Sequence, residues 1–250
     1  MWTPVTTADG SVTLRCPRTG ALAHSAAGAW TEARERYVCA TRLAERPRPV
    51  RVLDVGTGLG WNLAAALDAA DPLEVVTLEL DPAPIEAALG LAVTGGLGPP
   101  DIARHHEPVA RALREALHGS GEPVPFGGGH LRLLLGDARR TLPALGPDFA
   151  FDVVFLDPFA PGEDPPLWEA GFLGEVARRL APGGLLSTYS ASLTVRARLA
   201  NAGLRVGSGP RVGEKAQGTL ASPDLVLPAL DARTQRKLAR RLGQETGSGP

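Results

Sequence analysis

With 250 residues, 44% of them hydrophobic, and a formal charge of −1, the chain has the material for one large α/β domain with a buried core. It has no apolar run near about 18 residues and no basic-then-apolar leader, which excludes a membrane-spanning helix and predicts a cytoplasmic protein. The charge divides unevenly: residues 1–49 carry seven basic and four acidic side chains, residues 50–180 nine and nineteen, and residues 181–250 ten and four, so a polyanion would meet the ends before the middle.

Short apolar pieces around Asp9-Gly10 and Arg18-Thr19-Gly20 predict an N-terminal β-hairpin within residues 6–25. Trp30, Ala33, Tyr37, Cys39 and Ala40 fall at mostly helical spacing in 28–43, and Arg46-Pro47-Arg48-Pro49 ends that helix. A strand at 50–55 precedes a helix at about 60–70. A second strand at 73–80 precedes a helix at 83–91, opened by Asp81-Pro82. Residues 94–129 read as an elaboration: a Gly/Pro loop, a helix over 102–118 and a second Gly/Pro loop over 120–129.

Strands follow at 131–135, 151–156 and 185–189, separated by a helix at 167–180 and the turn Ala181-Pro182-Gly183-Gly184. A helix at 193–202, short strands at 204–208 and 219–221, and a basic helix at 235–243 complete the pattern; the tail from Glu245 is expected to be disordered. Alternation of this kind predicts a Rossmann-like α/β fold, a mostly parallel seven-stranded sheet with helices on both faces. The expected organisation is an extension at 1–49, the main domain at 50–222 and a basic helix and tail at 223–250.

The turn after the first strand reads Asp54-Val55-Gly56-Thr57-Gly58-Leu59-Gly60. A dinucleotide fingerprint places its third glycine one residue later, where this chain has Trp61. Nicotinamide and flavin cofactors are thereby disfavoured. Asp54, Glu79, Asp137 and Asp157 each stand at or just after a strand end, and in a parallel sheet those ends share one crevice. For each acid taken singly a helix cap or solvated turn is the plain alternative. Together they suit S-adenosyl-L-methionine: Glu79 accepts from ribose hydroxyls, Asp137 from the adenine amino group, and ammonium and sulfonium favour acidic walls. A pyrophosphate would be repelled there.

These residues resemble the class I S-adenosylmethionine-dependent methyltransferases. Asp157-Pro158-Phe159-Ala160-Pro161, Pro166-Leu167-Trp168, Pro182-Gly183-Gly184, Ser187-Thr188-Tyr189-Ser190, Val195-Arg196 and Ala202-Gly203, with the lead-in His24-Ser25, Gly28-Ala29 and Glu32, resemble the MnmC-like tRNA wobble-uridine methyltransferases over residues 6–222. That family methylates the amine of 5-aminomethyl-2-thiouridine in tRNA. The resemblance implies a methyltransferase without the oxidase domain that some members carry. It implies that Asp54, Gly56, Thr57, Gly58, Gly60, Glu79, Leu80, Asp137, Ala138, Ser25 and Glu32 serve the cofactor, with Asp157, Pro158 and Phe159 at the reacting amine. Trp168, Tyr189, Arg196 and Lys215 are the substrate-side candidates. The chain departs from the family's pattern at Pro158, where a glycine is common, and at Lys215-Ala216-Gln217, where a basic pair is common.

An amine with a lysine-like pKa of ~10.4 costs roughly 4.6 kcal/mol to deprotonate at pH 7, an upper bound for an aminomethyl group on a uracil. Asp157 is therefore expected to orient the amine and to be a candidate acceptor of its proton, with a main-chain carbonyl near Pro158 as an equal candidate for the orienting bond. Arg139, Arg140, Arg196 and Arg198 are candidates for tRNA phosphates, or solvated helix faces. The five histidines and Cys16 and Cys39 lack ligand spacing, and no metal is expected. The sequence leaves the oligomeric state open. Alternatives within the fold are a methyltransferase or aminopropyltransferase acting on a small-molecule amine, or a degenerate binding module.

Overall fold

Leucine- and valine-rich runs form the strands, and a computed structural model of the chain describes residues 1–146, 149–213 and 217–246. A separate antiparallel ribbon comes first. In it β1 (Thr3–Thr6) pairs with β2 (Val12–Arg15), Thr3 opposite Arg15 and Thr6 opposite Val12. The main sheet contains β3 (Val50–Val55), β4 (Leu73–Glu79), β5 (Val124–Phe126), β6 (Gly129–Leu135), β7 (Phe151–Leu156), β8 (Leu180–Thr188), β9 (Arg205–Ser208) and β10 (Thr219–Ser222). Their order across the sheet is β5-β6-β4-β3-β7-β8-β10-β9. From β6 to β8 all pairings are parallel, while β5 and β10 join the two sides in antiparallel fashion and β9 pairs antiparallel with β10.

The order reverses at β3, which has β4 on one side and β7 on the other. Such a switch point opens a crevice at the carboxyl ends of the strands. Alternate residues of these strands feed two cores, as the period of two requires. Val52, Val153 and Phe155 pack with Tyr37, Trp61, Leu63, Ile85 and Leu113 on one face. Leu53, Val55, Val154 and Leu156 pack with Phe172, Val176, Val195 and Leu199 on the other.

The first face is covered by α1 (Ala29–Glu32) and its π-helical continuation Ala33–Cys39, α2 (Trp61–Ala69) and α3 (Ala83–Thr94), and, after the short α4 (Pro100–Ala103), by α5 (Glu107–His118). After the one-turn α6 (Ala138–Thr141), α7 (Ala170–Arg178) and α8 (Leu193–Asn201) cover the second, and α9 (Ala232–Thr246) packs on α8. No helix among the described residues is long and apolar enough to cross a membrane.

The fold class is the expected one, with an eighth strand in the sheet. The extra strand, β5, lies where a Gly/Pro loop was expected. Gly127-Gly128 form a two-residue hairpin loop between Phe126 and Gly129, and Pro125 is tolerated because β5 is the sheet's outer edge. The expected turn at 181–184 is a bulge inside β8, where the partner of β7 jumps from Leu180 to Leu185. Helix α3 continues to Thr94, and the 102–118 helix is divided by a 3-10 turn at Arg104–His106. Helix α9 runs through Glu245 and Thr246, against the expectation of disorder there; residues 247–250 lie outside the described residues.

Candidate active site

The carboxyl ends of β3, β4, β6 and β7 open onto a cleft of about 490 Å³ whose walls include Gly56, Gly58, Glu79, Asp137 and Asp157. Two glycines decide its shape. A Cβ on Gly56 (φ 94°) would stand 2.8 Å from the Asp157 carbonyl oxygen, so the turn after β3 can touch the loop after β7 only without a side chain. A Cβ on Gly58 (φ 53°) would meet nothing nearer than His24 Cε1 at 3.9 Å, which leaves backbone bare to the cleft. Gly60 caps α2 behind this wall, against Val109 and Leu113.

Asp54 and Thr57, expected at the cofactor, lie beneath the turn. The Thr77 hydroxyl donates to Asp54 Oδ2 at 2.7 Å and lies 2.5 Å from Thr57 Oγ1, so these side chains fix the turn from below. Burial pushes the Asp54 carboxyl up to about 7 from 3.8. The folded state thus keeps a proton that the unfolded chain releases, and this contribution to stability, full at acid pH, is lost as pH rises from about 4 through about 7. Asp54→Asn is expected to remove roughly one proton's share of that decline, measured as Tm against pH between about 4 and 8.

Glu79, at the end of β4, is held by main-chain amides. Oε2 accepts from the Gly58 N–H at 2.9 Å, and Oε1 from Leu80 N–H at 2.8 Å and Asp81 N–H at 3.3 Å. Burial raises its pKa against the opposing effect of these bonds. Leu80, 68% exposed, stands on the cleft rim. Across the cleft Asp137 caps α6, accepting from Arg139 N–H at 3.0 Å, and its carboxylate takes the Arg139 guanidinium at 2.6–3.1 Å. That guanidinium holds Asp137 below the usual carboxylate range. Ala138 is buried behind it on the same wall.

Asp157 follows β7 and stands half-buried on the cleft wall, whereas Asp54 is wholly enclosed. Asn62 Nδ2 donates to its Oδ2 at 3.0 Å. Burial first, and then the negative charge of Glu32, hold its carboxyl well above the usual carboxylate range, and Tyr37 beside it is raised as well by burial and by Asp157. Glu32 is itself tied down, accepting from Ser25 N–H at 2.7 Å and pairing with Arg36 Nε at 3.1 Å. Ser25 and Glu32, expected at the cofactor, are thus buried behind the cleft, where they back Asp157.

The loop after Asp157 is anchored by the aromatic side chains expected on the substrate side. Tyr189 OH donates to the Pro158 carbonyl at 2.8 Å, and Trp168 Nε1 donates to the Phe159 carbonyl at 2.6 Å. Trp168 is 1% exposed and packs edge-on against Tyr189, so it offers no face to a base: its indole fixes the loop. The Phe159 ring does line the cleft, stacked on Trp2 with centroids 6.0 Å apart. Arg196 is likewise a structural group, 5% exposed, donating to Thr219 Oγ1 at 2.9 Å and the Gly218 carbonyl at 3.1 Å. Lys215 lies outside the described residues.

Sequence reasoning missed Asn62, Tyr37, His24 and Trp2. Asn62 carries a readable signal, being the one polar residue in the buried run Trp61 to Ala66. Trp2 carries none, since only the folded hairpin brings it to Phe159. Among the described residues no three His, Cys, Asp or Glu side chains gather as a metal site.

Comparison with known proteins bears on the family and the fold. A family model described as S-adenosyl-L-methionine-dependent methyltransferase matches residues 106–224. An uncharacterized protein of Methanocaldococcus jannaschii, MJ0670, is 30% identical over 218 residues, 87% of this chain and 58% of that protein. The tRNA 5-methylaminomethyl-2-thiouridine biosynthesis bifunctional protein MnmC of Methylibium petroleiphilum is 35% identical over 226 residues, 82% of this chain and 32% of that protein. The matched region spans 58% and 32% of the lengths of these two curated relatives. The crystal structure of MnmC2 from Aquifex aeolicus superposes with a TM-score of 0.79 at 31% identity, covering 96% of this chain and 76% of that one.

Proposed function

The chain belongs to the MnmC-like family of S-adenosyl-L-methionine-dependent methyltransferases, and from that premise we propose that it methylates the amine of 5-aminomethyl-2-thiouridine at the wobble position of tRNA, in the cytoplasm. Residues 50–222 would form the methyltransferase domain, with 1–49 as an extension that lends Trp2 and His24 to the cleft wall and 223–250 as a basic extension.

The residues at the cleft fit the methyl donor. The bare backbone at Gly58 leaves room for it, and Glu79, whose oxygens are aimed by three amides, keeps lone pairs for ribose hydroxyls. Asp137 would give one oxygen to the adenine amino group, sharing its exposed pair with Arg139. Glu79, Asp81, Asp137, Asp157 and Asp164 on the walls outnumber Arg18 and Arg139, which suits a cationic ligand. When bound, S-adenosylmethionine supplies an electrophilic methyl group on a sulfonium.

The observation that carries the reading is Asp157: a half-buried carboxyl with a raised pKa, on the cleft wall, beside an oriented carbonyl. An ordinary carboxylate would favour the ammonium form of the substrate and so oppose its reactivity. Raising the pKa of Asp157 narrows the gap to the ammonium, so proton transfer to Asp157 costs less than it would to an unperturbed aspartate. Asn62 engages Oδ2, Tyr37 stands beside the carboxyl, and a remaining carboxyl lone pair would accept from the amine. Tyr189 takes one lone pair of the Pro158 carbonyl and leaves the other for a second amine N–H. With two N–H directions fixed, the nitrogen lone pair has one direction left, and alignment supplies the remaining acceleration.

The test compares tRNA carrying the aminomethyl base with the free aminomethyl nucleoside, each with the methyl donor, followed by nucleoside analysis. Methylated nucleoside from tRNA at a much higher kcat/KM is expected. Equal kcat/KM for the free amine would replace tRNA with a small-molecule substrate.

A further inference from the structure

The cleft uses none of the charge on α9. Arg233, Arg236, Lys237, Arg240 and Arg241 are all exposed and recur at spacings of three and four, which places them on one side of the helix. Leu238 and Leu242 on another side pack with Leu193, Ala197 and Leu230. The helix is therefore bound to the body by its apolar edge and turns its cations outward. No acidic residue stands between Asp231 and Glu245. Among the described residues, no ion pair engages Arg233, Arg236, Lys237 or Arg240.

We propose that this face of α9 grips the sugar–phosphate backbone of tRNA while the wobble base enters the cleft, an inference that rests on the tRNA reading above. Charge complementarity favours it. The cleft walls are acidic and repel phosphate, so the attraction has to come from elsewhere on the molecule. A row of arginines on a rigid helix supplies it, each able to bind phosphate in a bidentate manner. Placement favours it too: α8 begins at Leu193, four residues beyond Tyr189, and α9 packs along α8, which puts the basic face on the flank of the site. An anionic membrane is the weaker partner, because a membrane-surface helix inserts an apolar face and that of α9 is already buried.

The experiment uses the full chain with R233E, R236E, K237E and R240E combined, and a milder set with Gln at the same four positions in case the reversal disturbs folding. Circular dichroism and calorimetry with S-adenosylmethionine check fold and cleft. The tRNA dissociation constant is measured across a salt series. Both sets are expected to keep cofactor affinity and to weaken tRNA binding by about tenfold or more near 0.1 M salt. The slope of log K against log salt should become shallower by about two to four, given about 0.9 per phosphate contact on a duplex. Unchanged tRNA affinity and slope in a folded variant overturn the proposal, as does a wild-type chain that binds anionic phosphatidylserine vesicles and not tRNA. If wild-type chain binds tRNA through α9 but transfers no methyl group, the substrate reading fails and this surface stands. If the variants methylate tRNA with unchanged KM, the surface fails and the substrate reading stands.

Discussion

Asp157→Asn is expected to lower kcat by about 10²–10⁴ at pH 7 while leaving S-adenosylmethionine affinity within about threefold, the range that loss of a positioned proton acceptor produces. Asparagine keeps the size of aspartate and retains an oxygen for Asn62 Nδ2, so the loop after β7 can keep its shape. What it lacks is a site for the amine's proton. The pH profile separates this from a structural loss. In the wild-type protein the acid limb of kcat/KM should lie above the ordinary carboxylate range, because burial and Glu32 raise the Asp157 pKa and activity requires the ionised form. That limb should vanish in Asp157→Asn. A variant with wild-type kcat would remove Asp157 from the mechanism.

Glu79→Ala is expected to act on binding. Hydrogen bonds to a charged group contribute about 1.5–3 kcal/mol each, so losing the acceptor for two ribose hydroxyls should weaken cofactor binding by about 10² or more. The same change releases the amides of Gly58, Leu80 and Asp81, and with them the turn that backs the ligand. Calorimetry should report the weaker cofactor dissociation constant, and kcat at saturating donor should stay within about tenfold of wild type, since the reacting end is untouched. A large fall in kcat at saturation, with unchanged affinity, would assign Glu79 to the chemical step instead.

The glycine turn and the strand-end acids were legible because they obey local rules. A strand, a glycine turn and a helix start occupy consecutive residues, and parallel strands must end on one edge. The roles of Trp168 and Arg196 were not legible. An indole and a guanidinium at those positions suit a base and a phosphate as chemistry, and only tertiary packing shows that they are spent on the Phe159 carbonyl and on Thr219 with Gly218. Asp54 illustrates the same limit. Its place at the end of β3 was read correctly, but side-chain alternation on the strand and the Thr77 hydroxyl below decide that it supports the turn instead of facing the cleft. The buried set of Ser25, Glu32, Arg36 and Tyr37 behind Asp157 depends on a helix 120 residues distant in sequence from that aspartate, a contact that no local pattern encodes.

This cleft is proposed to move a methyl group from the cofactor to the amine of a tRNA wobble base. The most direct measurement is a single-turnover reaction with methyl-labelled S-adenosylmethionine and tRNA bearing 5-aminomethyl-2-thiouridine, followed by digestion and mass analysis of the nucleosides. Label on the aminomethyl nitrogen, formed by the wild-type chain and about 10² or more slower with Asp157→Asn, is the predicted result. Label absent from that nucleoside, or found on another atom of the tRNA, in a protein that binds the cofactor would contradict it.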